Sequence, residues 1–146
     1  MSNQTHNTHI MKQIGFVLFS FLVFVACDPV FSVKIKNECK NDILIEAYYD
    51  KGILETSWRN RSFIPYLDGR NTRFLINRDT VNLIYTYKIA PGEDFYVEGG
   101  VGTHPEYWLY NKILILKPDS IILKNKEEIE NAFVNSYGRH WEFNIH

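Results

Sequence analysis

From Phe31 onward no stretch of this chain runs long without a turn signal, and that punctuation limits what it can fold into. Asp50-Lys51-Gly52, Asp68-Gly69, Pro91-Gly92, the glycines at 99, 100 and 102, and Pro118-Asp119 break the backbone into short pieces. Glycine supplies positive φ and proline a fixed φ, so such pairs fold an extended chain back on itself. Between the breaks the apolar residues alternate. Phe31, Val33 and Ile35 interleave with Ser32, Lys34 and Lys36, and Val81, Leu83, Tyr85, Tyr87 and Ile89 share one face of their segment. A period of two is that of a half-buried strand.

Strands are expected at 31–36, 43–49, 53–58, 72–76, 81–89, 94–98, 107–110, 112–117, 121–124 and 139–145. Asp50-Lys51-Gly52 reads as a hairpin turn, residues 77–80 as a polar turn, and residues 59–69 as the most irregular part. Asn125 is placed to cap a short helix, with Glu128 at the capping-box position, Ile129, Ala132 and Phe133 as its apolar stripe, and Gly138 as its stop. Eight to ten short strands and one helix near the C-terminus predict an all-β fold. The architecture expected is an antiparallel β-sandwich of the immunoglobulin-like kind, with a barrel as the alternative. Aromatic residues make up 15% of the chain and supply large buried area for a small core.

Residues 14–26 form an apolar run in which only Ser20 is weakly polar. As a helix it spans roughly 20 Å at about 1.5 Å per residue, short of the ~30 Å hydrocarbon core. Lys12 precedes the run and Ala26-Cys27 follows it, so charge, apolar region and small-residue cleavage site stand in secretory order. Residues 1–26 therefore read as a helical signal peptide. Residues 1–10 hold neither Lys nor Arg, and Met11-Lys12 offers a more natural start.

The run ends in Phe24-Val25-Ala26-Cys27, which resembles the lipobox of bacterial lipoproteins, with Phe24 where Leu is usual. The resemblance implies that Cys27 is diacylated on sulfur, that the peptide is cut before it, and that the new amine is acylated. Two or three acyl chains hold a protein stably on a bilayer. The implied organisation is a lipid-anchored protein of the bacterial cell envelope, with residues 27–30 as acylated cysteine and short tether and 31–146 as a single domain beside the membrane. Asp28 resembles the retention signal of enteric inner-membrane lipoproteins, a rule that varies among bacteria, so membrane and side stay open. With Cys27 acylated, Cys39 is a lone thiol; without acylation, a Cys27–Cys39 disulfide is the alternative.

Lys12 is the one charged side chain before Cys27, which leaves 15 basic and 17 acidic groups after it, a net of −2. That balance excludes a dedicated nucleic-acid binder. The loop GGVGTH at 99–104 lacks the Gly-Lys-Ser/Thr ending of a phosphate loop and reads as a hairpin loop. His140 and Glu142 share a strand face, and His104 offers a third ligand, a weak metal pattern that any half-buried strand reproduces. No metal and no cofactor is expected. No serine or cysteine stands in a recognisable nucleophile motif, and no catalytic residue is assigned; the chain reads as non-enzymatic.

The arginines are unevenly placed. Arg59, Arg61, Arg70, Arg73 and Arg78 share the window 59–78 with one acid, Asp68, a net of +4, whereas 93–142 holds nine acids against five bases, a net of −4. The planar guanidinium matches phosphate and carboxylate, and Trp58, Phe63 and Tyr66 interleave. Trp58, Arg59, Arg61, Arg70 and Arg73 are thus the candidate ligand site, for an anionic lipid headgroup, an envelope glycan or an acidic partner protein. The function expected is a binding or interaction module; the alternative is a structural accessory subunit of an envelope assembly.

Overall fold

In β1 (Val30–Asn37) every second side chain is buried, and the same rhythm runs through β2 (Ile43–Tyr49), whose Ile43, Ile45, Ala47 and Tyr49 face inward. These two strands sit inside two different sheets. The computed structural model describes residues 29–59, 61–102 and 104–146; the expected signal peptide and Cys27 lie outside them. The remaining elements in chain order are α1 (Lys51–Trp58), α2 (Ile64–Asp68), a 3-10 turn (Thr72–Phe74), β3 (Leu75–Asp79), β4 (Ile84–Ile89), β5 (Asp94–Val101), β6 (Tyr110–Leu116), β7 (Ile121–Leu123), α3 (Lys126–Ala132), β8 (Val134–Tyr137) and β9 (His140–Ile145).

One sheet has the order β5-β1-β9-β8 and the other β3-β4-β2-β6-β7. Their inner faces share one core, in which Val33, Ile35 and Phe95 of the first sheet join Ile45, Tyr87 and Ile113 of the second. The rings of Tyr87 and Phe95 meet across the two layers with centroids 4.8 Å apart. The domain is therefore a mostly β, two-sheet sandwich. One pair departs from the antiparallel expectation: β1 runs parallel to β9, with Val33 opposite Trp141 and Ile35 opposite Phe143.

The segment 53–58 is a helix, not the expected strand. Asp50 is its N-cap, and the Asp50 carboxylate accepts the Ile53 N–H at 3.0 Å. The Asp-Lys-Gly signal is thus a helix start, where a short polar side chain satisfies a free backbone donor. Leu54 and Trp58, four apart, face the protein. With α2 added, helix is also present in the middle of the chain, not near the C-terminus alone. Residues 77–79 extend β3, and the turn comes later, ordered by Asp79, which accepts the N–H groups of Val81 and Asn82. Val81 is consequently exposed, while Leu83, Tyr85, Tyr87 and Ile89 are buried as the alternation requires.

The β6–β7 hairpin is present. Asn125 accepts the Glu128 N–H at 2.9 Å, and the Glu128 carboxylate accepts the Lys124 N–H at 2.8 Å, one residue earlier than an ideal capping box. The helix α3 ends at Ala132. Gly138, at φ 61°, serves the β8–β9 turn instead of stopping it.

Asn37 ties the two sheets together from inside. Its side chain is fully buried, and its amide donates to the carbonyls of Asn41 and Ile89, both at 2.9 Å. Its carbonyl accepts the Cys39 N–H at 3.0 Å. All three bonds end on backbone groups; the one to Ile89 is buried and the other two are partly buried. Asn37→Ala should therefore lower unfolding free energy by about 2–4 kcal/mol, at roughly 1 kcal/mol or more per orphaned group. Denaturant titration checks this; a loss below about 1 kcal/mol would contradict it.

Candidate functional site

The site is built where β5 and β6 each carry a bulge. On β5, Val33 pairs with Glu98 and Lys34 with Tyr96, so Val97 has no partner on β1. On β6, Tyr48 pairs with Lys112 and Tyr49 with Tyr110, so Asn111 is skipped. A bulge breaks the two-residue alternation and re-aims side chains. Val97 and Glu98 are both buried in consequence, and Tyr110 is turned into the core.

The Val97 carbonyl, freed from the ladder, collects other donors. The Tyr110 hydroxyl donates to it at 2.8 Å, and so does Nη2 of Arg70, which also reaches the Tyr110 hydroxyl at 3.2 Å. Nη1 of Arg70 donates to the Tyr66 hydroxyl at 2.7 Å. Burial pushes the Tyr110 hydroxyl well above its ordinary range, despite the nearby guanidinium, so it stays protonated and keeps donating. Nε of Arg70 is buried without an acceptor. Next along the chain, the Asn71 side chain donates to the Tyr96 carbonyl at 2.7 Å and accepts the Tyr96 N–H at 3.0 Å. It occupies the outer edge of β5 as a neighbouring strand would.

Arg70 and Tyr66 line a cavity of about 520 Å³, with Glu98, His104, Glu106 and Trp108 among the other walls. Phe31 and the glycines of 99–102 complete it. Trp58 lies behind this wall, its ring 4.8 Å from that of Tyr66 and 6.1 Å from that of Trp108. Both oxygens of Glu98 are used: one accepts the Glu106 N–H at 3.1 Å and the other the Tyr107 N–H at 2.6 Å. Burial nevertheless raises its carboxyl above the ordinary 4.5, with those two bonds and Arg70 opposing.

The arginine window does not form a single patch. Arg70 lines this cavity, while Arg73 lies over the Phe74 ring at 4.2 Å and lines a second cavity of about 410 Å³. Arg78 pairs with Asp68. Arg59 and Arg61 are exposed on the connection after α1. His104 belongs to the Arg70 cavity and packs against Trp141 with centroids 5.9 Å apart. His140 bonds Ser32 at 2.6 Å and Glu142 pairs with Lys36 at 2.8 Å, on the face of β9 opposite to Trp141. These three do not converge, and no cluster that could hold a metal exists among the described residues. Glu98, Glu106, Trp108 and Tyr110 escaped the sequence reading, because the bulges that bring them together leave no periodic signature. No family model, curated protein or solved structure matches the chain.

Two outcomes follow from this geometry. Arg70→Lys keeps the charge but cannot reach three acceptors with one ammonium, and should cost about 1.5–3 kcal/mol in denaturant unfolding. For Glu98, the raised folded value means that the native state holds this proton more tightly than the unfolded chain. Its contribution to stability is greatest at acid pH and declines as pH rises above about 4.5. The stability of the native sequence relative to Glu98→Gln should therefore fall between pH 4 and 7; a rising difference would contradict the assignment.

Proposed function

We propose that this chain is a bacterial envelope lipoprotein, anchored through an acylated Cys27, whose domain is a non-enzymatic binding module for an anionic group of an envelope component. The observation that carries the reading is Arg70. It is the one Lys or Arg among the described residues of its cavity wall, and it forms no ion pair among the described residues. Its bonds go to hydroxyls and a carbonyl, which hold its plane fixed, and Glu98 acts on it through space without a direct ion pair. Tyr66 and Trp108, backed by Trp58, give the cavity rigid aromatic walls. The cavity is concave, and its wall is more polar than apolar, which suits a small charged group more than an apolar ligand.

No serine or cysteine nucleophile is among the described lining residues. Glu98 is held by the Glu106 and Tyr107 N–H groups, and we assign Glu106 and His104 to ligand contact. An immunoglobulin-like arrangement is supported by a chain that crosses four times between the two sheets, after β1, β4, β5 and β7. The second reading, a structural accessory subunit, draws support from β8, an edge strand whose four residues are all exposed, the apolar Val134 and Tyr137 among them.

Labelling with a fatty-acid analogue tests the anchor: label should be lost in Cys27→Ala, and its survival there would sink the lipoprotein reading. The cavity is tested on detergent-purified full-length protein titrated with glycerol phosphate, followed by tryptophan emission. Saturable binding should disappear in Gly100→Leu. A Cβ at Gly100 meets Phe31 ring carbons at 3.5 and 3.6 Å, ordinary contact distances, and Gly100 lines the cavity, so the leucine is introduced at its wall; an unchanged far-ultraviolet circular dichroism spectrum checks that the variant is folded. Equal binding by the filled variant would remove the site.

A further inference from the structure

We infer that the occupant of the Arg70 cavity is a phospholipid headgroup of the membrane that holds the anchor, a zwitterion with phosphate toward Arg70 and ammonium toward Glu106. The inference rests on the binding reading above and on an acylated Cys27. Its first support is position. The Gly102 N–H donates to the Pro29 carbonyl at 2.7 Å, and Val30 stands opposite Val101. The chain therefore enters the domain beside the strand end whose Val101 and Gly102 line the cavity. Two residues, Asp28 and Pro29, separate Val30 from Cys27, and the three Cα–Cα steps between them span at most about 11 Å. Anchor and cavity share one end of the sandwich.

The second support is the surface at that end. Val30 and Val101 are 65% and 68% exposed, and as cross-strand partners they form an apolar step left largely open by the described residues. A lipid interface is the partner that such a step fits, since the anchor holds it within reach of one.

Charge decides the class of headgroup. The cavity wall carries Arg70, Glu98 and Glu106. Glu98 is committed to two backbone donors, whereas Glu106, an exposed residue at the cavity mouth, keeps its carboxylate in water with neither an ion pair nor a hydrogen bond among the described residues. A ligand with negative charge alone would meet Arg70 favourably and Glu106 unfavourably. A phosphate–ammonium pair satisfies both, and Trp108, whose ring type is the best partner for a cation, lines the same space. The volume, about 520 Å³, lies within the range of small-ligand pockets, roughly 300–1,000 Å³.

The test uses full-length protein in detergent with phosphoethanolamine, glycerol phosphate and ethanolamine as separate probes. Phosphoethanolamine should bind at least about tenfold more tightly than either of the others, a difference of roughly 1.4 kcal/mol. Glu106→Gln should abolish that preference while leaving glycerol phosphate binding in place. Equal affinity for glycerol phosphate and phosphoethanolamine overturns the zwitterion assignment and leaves the binding module standing. Absence of binding by any probe, with Cys27 labelled normally, overturns the binding reading itself. The source is separated in vesicles. Acylated protein in phosphatidylethanolamine–phosphatidylglycerol vesicles with brominated chains should show stronger tryptophan quenching than in phosphatidylglycerol alone, and Gly100→Leu should erase the difference. Phosphoethanolamine binding without that quenching would mean a soluble or glycan-borne ligand and would overturn the membrane assignment.

Discussion

One carbonyl, that of Val97, governs how this end of the molecule is put together. The bulge on β5 takes it out of the ladder, and a buried carbonyl without a donor would cost about 1–3 kcal/mol. Arg70 and Tyr110 supply the donors, one from the segment after α2 and the other from the opposite sheet. Their convergence fixes the guanidinium beside the glycine-rich end of β5, where a cavity opens. It also gives α2 a reason to lie where it does, since Arg70 and Asn71 together close the outer edge of β5. Without the bulge, Glu98 would face the other way and the 104–107 loop would lose the carboxylate that orders it.

Much of this was legible in the sequence, and the gaps have physical causes. The alternation in β1 and β4 reports burial directly, β2 is legible from its β-formers although both its faces look apolar, and Asn125 with Glu128 announces α3, because these are local rules. Asp50 shows their limit. The same Asp-Lys-Gly sequence closes a hairpin or caps a helix, and only the packing of Leu54 and Trp58 decides between them. The parallel pairing of β1 with β9 joins residues over a hundred positions apart, a relation no local pattern encodes. For the site, counting arginines drew attention to Arg70 and Trp58 but could not separate them from Arg59, Arg61 and Arg73, whose charges look identical in one dimension. Glu98 and Tyr110 were hidden because a bulge is a skipped pairing, and pairing is a property of two strands.

The shortness of the link between Cys27 and β1 gives the proposed site its physical logic. If Cys27 is acylated as proposed, a domain held about 11 Å or less of chain from that anchor cannot sweep the space beyond the membrane surface for a distant ligand. It meets instead a high effective concentration of whatever lies at the membrane surface, so that a weak intrinsic affinity is enough to hold it in one orientation. Arg70 and Glu106 would then act less as a capture device than as a register mark, turning one end of the sandwich to the bilayer and presenting the other end and the β8 edge outward.

The central claim is that the Arg70 guanidinium faces a headgroup phosphate in the membrane-anchored state. The most direct measurement is magic-angle-spinning NMR on acylated protein with nitrogen-15 arginine in phosphatidylethanolamine-containing bilayers, with the dephasing of each guanidinium by phosphorus-31 as the readout. The account predicts that one resonance, absent in Arg70→Lys and unperturbed by phosphorus in Gly100→Leu, is strongly dephased at hydrogen-bonding range. An Arg70 resonance that phosphorus leaves untouched in the native protein would contradict it.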